Sequence, residues 1–194
     1  MEKTVKLKNG RKVLIRSMQA DDVQSSFDFF QRLTPEDRKY LRVDVTKWEF
    51  VERRVRLTDP AWVERLVVID DGEIVGDGSL ELAGHGWGDN IAEIRLIISS
   101  EYQRTGLGTM LARELHMLAA QHKVDRIVAR LMRPQIGAHR ILHSLGFHEE
   151  FLIPEMVRDQ GGQWQDMILM RCNLEDLWRE MEMVADFSDW QRHR

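Results

Sequence analysis

The sequence predicts an α+β fold with α/β character. It is a single domain on a mixed, partly parallel twisted sheet flanked by helices, with an amphipathic helix at the C-terminal end. Three observations predict it. The first half mixes strand and helix patterns. From Ile91 onward the order becomes strand, helix, strand, helix, strand, strand. A chain of 194 residues, 43% hydrophobic and 31% charged, is long enough to close one core and has an ordinary globular composition.

The elements follow in order. Lys3–Leu7 and Lys12–Met18 read as two strands around Asn9-Gly10, a dipeptide that takes the positive φ angles of a tight hairpin turn. Ala20–Leu33 has helical spacing, with Val23, Phe27, Phe30 and Leu33 in one stripe and Asp21 and Asp22 suited to the positive end of the helix dipole. Thr34-Pro35-Glu36-Asp37 reads as a second helix start, Thr34 capping and Asp37 completing a box. Trp48–Leu57 reads as a third helix, ended by Asp59-Pro60. Leu66–Ile69 and Ile74–Leu82 are strand patterns around the Asp70–Glu73 turn, and Ala83–Asp89 is a loop. Ile91–Ile98 is an apolar strand carrying Glu93 and Arg95. After Gly106, Leu107, Leu111, Leu115 and Leu118 mark one helix face. Arg126–Leu131 is a strand, and Gln135–Leu145 a helix ended by Gly146. Phe147–Ile153 and Trp164–Cys172 are two strands joined through Gly161-Gly162. In the tail, Leu174, Leu177, Trp178, Met181 and Val184 recur at helical spacing, so the domain is expected over 1–172 and the tail helix over 173–194. That stripe either folds back on the domain or makes a homodimer contact.

Composition narrows the function. With 28 Lys and Arg against 32 Asp and Glu, the net charge of −4 does not favour nucleic acid as a bulk partner. No apolar run is long enough to span a membrane, and the opening lacks the apolar core of a signal peptide. Cys172, the sole cysteine, allows no internal disulfide and makes a zinc cluster improbable, which fits a cytoplasmic protein without a metal. It reads as a buried small apolar residue, because no base for a nucleophilic role is evident.

The chemistry concentrates between Glu93 and Thr109. A strand runs into a polar turn and then into Gln103-Arg104-Thr105-Gly106-Leu107-Gly108, which opens a helix. Free N–H groups and the helix dipole make such a junction a place to hold phosphate. It is neither a dinucleotide fingerprint, lacking the third glycine, nor a P-loop, lacking Gly-Lys-Ser/Thr. Gly106 and Gly108 could also serve only a tight strand-to-helix connection. They nevertheless cost helix stability, which favours a ligand.

In this context, with Leu145-Gly146-Phe147 closing the next helix, the chain resembles the GNAT superfamily of acyl-CoA-dependent N-acyltransferases over about residues 91–150. A narrower resemblance is to the GNAT domain of bacterial protein lysine acetyltransferases. It is carried by Lys8-Asn9-Gly10, Val13–Arg16, Asp21-Asp22 and Phe29–Arg38, and by Glu93 standing ten residues before Gln103. The resemblance implies acetyl-CoA as co-substrate. Its pyrophosphate would lie on the N–H groups of Arg104, Thr105, Gly106, Leu107, Gly108 and Thr109, and its pantetheine arm beside Leu96, Ile97 and Ile98. Gln135 takes the place of a common asparagine. Glu93 becomes the expected general base toward an amine acceptor, with a protein lysine leading. Read from the residues alone, Glu93 is rather a surface partner of Arg95; the spacing to Gln103 within the resemblance is what turns the reading to the base. Leu142 replaces the tyrosine that often protonates the leaving thiolate, so no acid is expected there. His139 and His143 read as surface or half-buried residues. The competing functions are acetylation of a small-molecule amine or amino acid, and an acyl-CoA sensor with little turnover. Acceptor specificity is expected from the early helices and the Ile153–Trp164 loop.

Overall fold

The computed structural model describes residues 1–56, 59–84, 86 and 88–175. Its frame is an eight-stranded sheet in the order β1-β2-β3-β4-β5-β6-β8-β7. Strands β1 (Glu2–Lys6) and β2 (Lys12–Ser17) form the predicted hairpin, with Gly10 at φ 87° in its turn. Strands β3 (Val63–Asp70), β4 (Glu73–Leu82) and β5 (Ile91–Ile98) continue the sheet antiparallel. Helix α4 (Leu107–Gln121) then carries the chain across to β6 (Arg126–Met132), which lies parallel to β5. After α5 (Ile136–His143), β7 (His148–Arg158) and β8 (Trp164–Asn173) close the far side, β8 pairing with β6. The fold is thus α+β with one parallel junction in an otherwise antiparallel sheet, as the element order predicts.

Alternation along the strands sends side chains to two cores. On one face Leu66, Val68, Leu80, Ala92, Ile94 and Ile127 pack with Leu107, Leu111 and Leu115 of α4 and Leu142 of α5. Strand β4 makes room for this helix with glycine: a Cβ on Gly78 would stand 3.1 Å from a Leu115 methyl and 3.3 Å from Leu111. On the other face Val67, Ile74 and Ile97 pack with α1 (Val23–Arg32) and α3 (Trp48–Arg56). Between these two helices lies the short α2 (Pro35–Arg38), which has the predicted capping box between Thr34 and Asp37.

Three local differences from the sequence reading have physical causes. Helix α1 starts at Val23 rather than Ala20, because the Asp22 carboxylate is taken by Arg16 at 2.6 Å and by the Gln19 N–H at 2.7 Å. Helix α5 is shorter than Gln135–Leu145. It ends in a Schellman turn, with Gly146 at φ 82° and the Phe147 N–H bonded to the Leu142 carbonyl at 3.1 Å. Strand β7 runs through Pro154 to Arg158 instead of stopping at Ile153. Pro154 cannot donate to the ladder, and the register shifts between Ile153 and Val157, with Glu155 at φ 46° and its N–H taken by Asp166. The expected Ile153–Trp164 loop is therefore only a turn over residues 159–163. The predicted tail helix, beyond Leu174 and Glu175, lies outside the described residues.

Candidate active site

The site is made by two strands that part. Strands β5 and β6 pair at three positions only, Ile91 with Arg126, Ala92 with Ile127 and Glu93 with Val128. Beyond Glu93 the strand stays bonded to β4 through Ile98, but its other edge no longer meets β6. Alternate N–H and C=O groups over Ile94–Ile98 are thereby left open to one more extended partner, an opening flanked by Leu96, Ile97 and Ile98.

At the end of that edge the chain turns through a 3₁₀ segment, Ser100–Tyr102, into the glycine motif. Arg104 at φ 62° and Gly106 at φ 89° are both left-handed, and α4 begins at Leu107. The N–H groups of Arg104, Thr105, Gly106, Gly108 and Thr109 have no acceptor among the described residues, while that of Leu107 reaches the Thr105 hydroxyl at 3.4 Å. Successive free N–H groups at a helix start form an anion cradle, and pyrophosphate suits this donor set. The loop is pinned from below. Thr105 donates its hydroxyl to the Tyr102 carbonyl at 2.6 Å, and its own carbonyl accepts from the Lys8 N–H at 3.0 Å. Gln103 points away from the cradle and, with Ser100, bonds the Asp37 carboxylate that caps α2, at 3.3 and 2.9 Å.

The two glycines have different reasons. Gly106 adopts a backbone conformation that side chains resist. Gly108 lies in the α4–α5 contact, where a Cβ would stand 2.8 Å from the Ile141 methyl. In the sequence Lys8 stands out only as part of the Lys8-Asn9-Gly10 turn. Its side-chain carbons lie along Gly106, with Cε 3.5 Å from where a Cβ would be, so the exposed ammonium rises beside the cradle. No sequence spacing links a hairpin turn to a motif about a hundred residues later.

Glu93 stands where the strands part, on the face toward α1 and α3, and is 7% exposed. It is more than a surface partner of Arg95. Arg130 reaches one carboxylate oxygen at 2.5 Å, Arg42 binds the other, and Arg95 Nε lies 3.5 Å away. Burial pushes the Glu93 carboxyl up. The hydrogen bond from Arg42 and the charges of Arg42, Arg95 and Arg130 more than reverse this, holding it below the usual carboxylate range. Arg130 could be read from alternation two residues past Val128, but only once β6 is known to lie parallel to β5. Arg42 comes from the segment between α2 and α3, where no periodicity marks it. That segment is held from outside: Gln160 in the β7–β8 turn donates its N–H to the Lys39 carbonyl at 2.9 Å and its side-chain amide to the Leu41 carbonyl at 2.6 Å.

The remaining predicted residues fall around this centre. Gln135 precedes α5, and its side-chain oxygen accepts the Met132 N–H at 2.8 Å, which leaves its amide N–H₂ for other partners. Leu142 is 2% exposed in the apolar core. His139 pairs with Glu149 at 2.5 Å and stacks at 6.4 Å on His143. Cys172 is buried at 2% exposure. Among the described residues no cluster of His, Cys, Asp and Glu could hold a metal, and no helix is long and apolar enough to cross a membrane.

A splayed parallel strand pair beside a helix-start anion cradle defines the architecture of an acyl-CoA-dependent acyltransferase. The acetyltransferase (GNAT) family model matches residues 24–147, and the chain belongs to that family. It is an acetyltransferase, with acetyl-CoA as co-substrate and an amine as acceptor. Among solved structures it is similar to the GNAT domain of S. lividans PAT, with 15% identity and a TM-score of 0.75 over 89% of this chain and 96% of that one. It is also similar to Mycobacterium smegmatis RimJ in complex with CoA-disulfide, with 20% identity and a TM-score of 0.71 over 91% of this chain and 88% of that one. A chimera of spermidine N-acetyltransferase from Vibrio cholerae and hSSAT shares 20% identity at a TM-score of 0.68, over 84% of this chain and 96% of that one. No curated protein matches the sequence.

Proposed function

We propose that the chain acetylates a primary amine in the cleft between β5 and β6, with a protein lysine as leading acceptor and Glu93 as the group that takes the proton. The parting of the two strands immediately after Glu93 carries this reading, because it puts a carboxylate beside an open strand edge that leads to the anion cradle. The narrower sequence resemblance to protein lysine acetyltransferases supports lysine.

The N–H groups of Arg104, Thr105, Gly106, Gly108 and Thr109 would hold the pyrophosphate. Gln135 would offer its amide, and the edge over Leu96, Ile97 and Ile98 would take the pantetheine arm. A free lysine amine has a pKa of about 10.4, so it must reach the acyl carbon unprotonated. The arginines around Glu93 disfavour a second cation and so favour the neutral amine. Once that nitrogen has bonded to the acyl carbon, its remaining N–H is far more acidic than the parent ammonium, and a carboxylate of lowered basicity suffices to accept the proton. Glu93 therefore acts late, directly or through a water. Leu142 offers no proton to the departing sulfur, and a thiol is acidic enough to leave as the thiolate.

The experiment is incubation with radiolabelled acetyl-CoA and a cell extract, comparing parent with Glu93→Gln. Labelled protein bands that depend on Glu93 support the reading. Label confined to small molecules moves the acceptor to a free amine, and equal labelling by both forms removes Glu93 as the base. Acetyl-CoA binding without transfer to any acceptor favours a sensor.

A further inference from the structure

The face of the sheet that carries Glu93 has more positive charge than its own carboxylates balance. Register places Arg65, Ser79 and Arg95 side by side across β3, β4 and β5, with Glu81 opposite Glu93 one row away and Asp77 one row beyond on the other side. Arg42 and Arg54 reach this face from the α1–α3 layer, and Arg130 from β6. Most of these groups are paired. Arg54 forks onto Asp77, Arg95 binds Glu81 at 2.6 Å, and Glu93 serves Arg42, Arg130 and Arg95. Among the described residues, five guanidiniums, of Arg42, Arg54, Arg65, Arg95 and Arg130, thus gather around three carboxylates, of Asp77, Glu81 and Glu93.

Arg65 is the one left over. Its guanidinium makes no ion pair or hydrogen bond among the described residues, and its Nε is buried without a partner. Burial, together with the charges of Arg54 and Arg95, pulls it down to about 10, against the opposing pull of Asp77 and Glu81. The neighbouring Ser79, 3% exposed, makes no side-chain hydrogen bond among the described residues either. A half-buried arginine is a costly group to leave unmatched. Guanidinium is also the side chain best shaped to take a carboxylate through two parallel N–H donors.

We infer that the row Arg65–Ser79–Arg95 is a binding site for an oxyanion carried by the acceptor, so that the substrate is a primary amine bearing a carboxylate near its nucleophilic nitrogen. This deepens the acetyltransferase reading and rests on it. The carboxylate docks on Arg65 and Arg95 and accepts from the Ser79 hydroxyl, while the amine, one row away along β5, lies by Glu93. Rows two residues apart on a strand are separated by about 7 Å, a span that long side chains on both sides readily close. The required chemistry has two sources, a free amino acid or a lysine flanked by acidic residues in a protein. A polyamine, which adds cations and no anion, is a poor acceptor.

The test compares acceptors that differ only in the anion. Free lysine is set against lysine amide, and a lysine peptide with aspartate neighbours against the same peptide with asparagine neighbours, with spermidine as the cationic control. The expected result is at least a tenfold higher kcat/KM for the carboxylate form in one pair, carried mostly by KM; the pair that shows it identifies the source. In Arg65→Met this ratio collapses toward one, and Arg65→Lys restores part of it. Melting temperature separates a binding role from a structural one, because removal of an unmatched cation leaves it unchanged or raised. A parallel titration of the protein–CoA complex with N-acetyl-lysine and its amide, and with the acetylated peptides, reads the anion site without turnover. Equal kcat/KM and equal binding for the carboxylate and uncharged forms, or a preference that survives in Arg65→Met, overturns the inference. Transfer to amines without anion preference sinks only this inference. Absence of transfer to every amine, with the carboxylate ligand still bound more tightly through Arg65, sinks the acetyltransfer reading and keeps the anion site.

Discussion

On the α4–α5 side of the sheet, Leu66, Leu80, Ala92, Leu107, Leu111 and Leu115 are fully buried, and Gly78 lets α4 settle against β4. On the α1–α3 side the same strands present Arg65, Asp77, Glu81, Glu93 and Arg95 within a ring of aliphatic and aromatic residues. One strand feeds both: in β5, Ala92 and Ile94 go to the dry face, Glu93 and Arg95 to the charged one. The dry face fixes where β5 and α4 lie and so aims the N–H cradle. The charged face stabilises less securely, because every ion taken from water must be compensated, and it carries the groups proposed to meet the acceptor. Substitutions on the two faces should therefore separate into losses of stability and losses of activity.

The largest effect is expected at Glu93, where the two terms meet. Glu93→Gln removes the carboxylate that Arg42, Arg95 and Arg130 share, and, on the proposed role of Glu93 as proton acceptor, should lower kcat by about 10²-fold or more. The same substitution leaves three guanidiniums facing a neutral amide, at a cost to stability of about 3–5 kcal/mol. Kinetics well below the melting temperature and urea titration separate the two. A variant that loses stability and keeps kcat shows that Glu93 holds the arginines and does no proton transfer.

Next is a purely apolar change on the opposite face. Leu111 is fully buried on the sheet-facing side of α4, and Leu111→Ala should cost about 2–5 kcal/mol through lost burial and an unfilled cavity. At low temperature its kinetic constants stay close to the parent's. A large fall in kcat without a fall in melting temperature would show that the dry face does more than support.

How much of this was legible in the sequence follows the same division. The bounds of β5 were legible, because an apolar run between Asn90 and Ser99 alternates only once the charged positions are counted. The hairpin, the Thr34 cap and the cradle were legible from local turn chemistry. The Pro154 bulge was not, since a proline reads as the end of a strand when its partner is unknown. In the sequence Gly108 looks like a concession to a ligand, yet Ile141 on α5 also demands it. Arg42, Arg65 and Arg130 were invisible as a group, because they come from a loop and two strands that meet only in the folded sheet.

The charged face also predicts an acid sensitivity that the dry face lacks. The Glu93 carboxyl is held below its ordinary value, so its contribution to stability is complete above the unfolded pKa of about 4.3 and is lost as pH falls through the depressed folded value. Urea titrations at pH 7 and pH 4 should show the parent losing more stability than Glu93→Gln on acidification. Equal losses would mean that the arginines find other partners when Glu93 is neutral.

A smaller effect is expected from Gly106→Ala. Its φ of 89° puts an ordinary residue in the left-handed region, at about 1–2 kcal/mol, while a Cβ there meets only Lys8 carbons at 3.5 Å or more. Relief of that strain tilts the cradle, so KM for acetyl-CoA rises while kcat at saturation holds.

The smallest and most local change tests whether the hairpin belongs to the site at all. Lys8 runs along Gly106 and is exposed, so its ammonium meets an incoming phosphate as a screened point charge rather than as a buried partner. Lys8→Ala should raise KM for acetyl-CoA by about threefold at low ionic strength, with kcat and melting temperature unchanged, and the difference should shrink as salt is added. The main-chain bond from the Lys8 N–H to the Thr105 carbonyl survives this substitution, so the loop stays in place and only the charge is removed. A rise in KM that ignores salt would mean that the side chain acts by packing on Gly106. No rise at all would leave the cradle to its backbone N–H groups and Arg104.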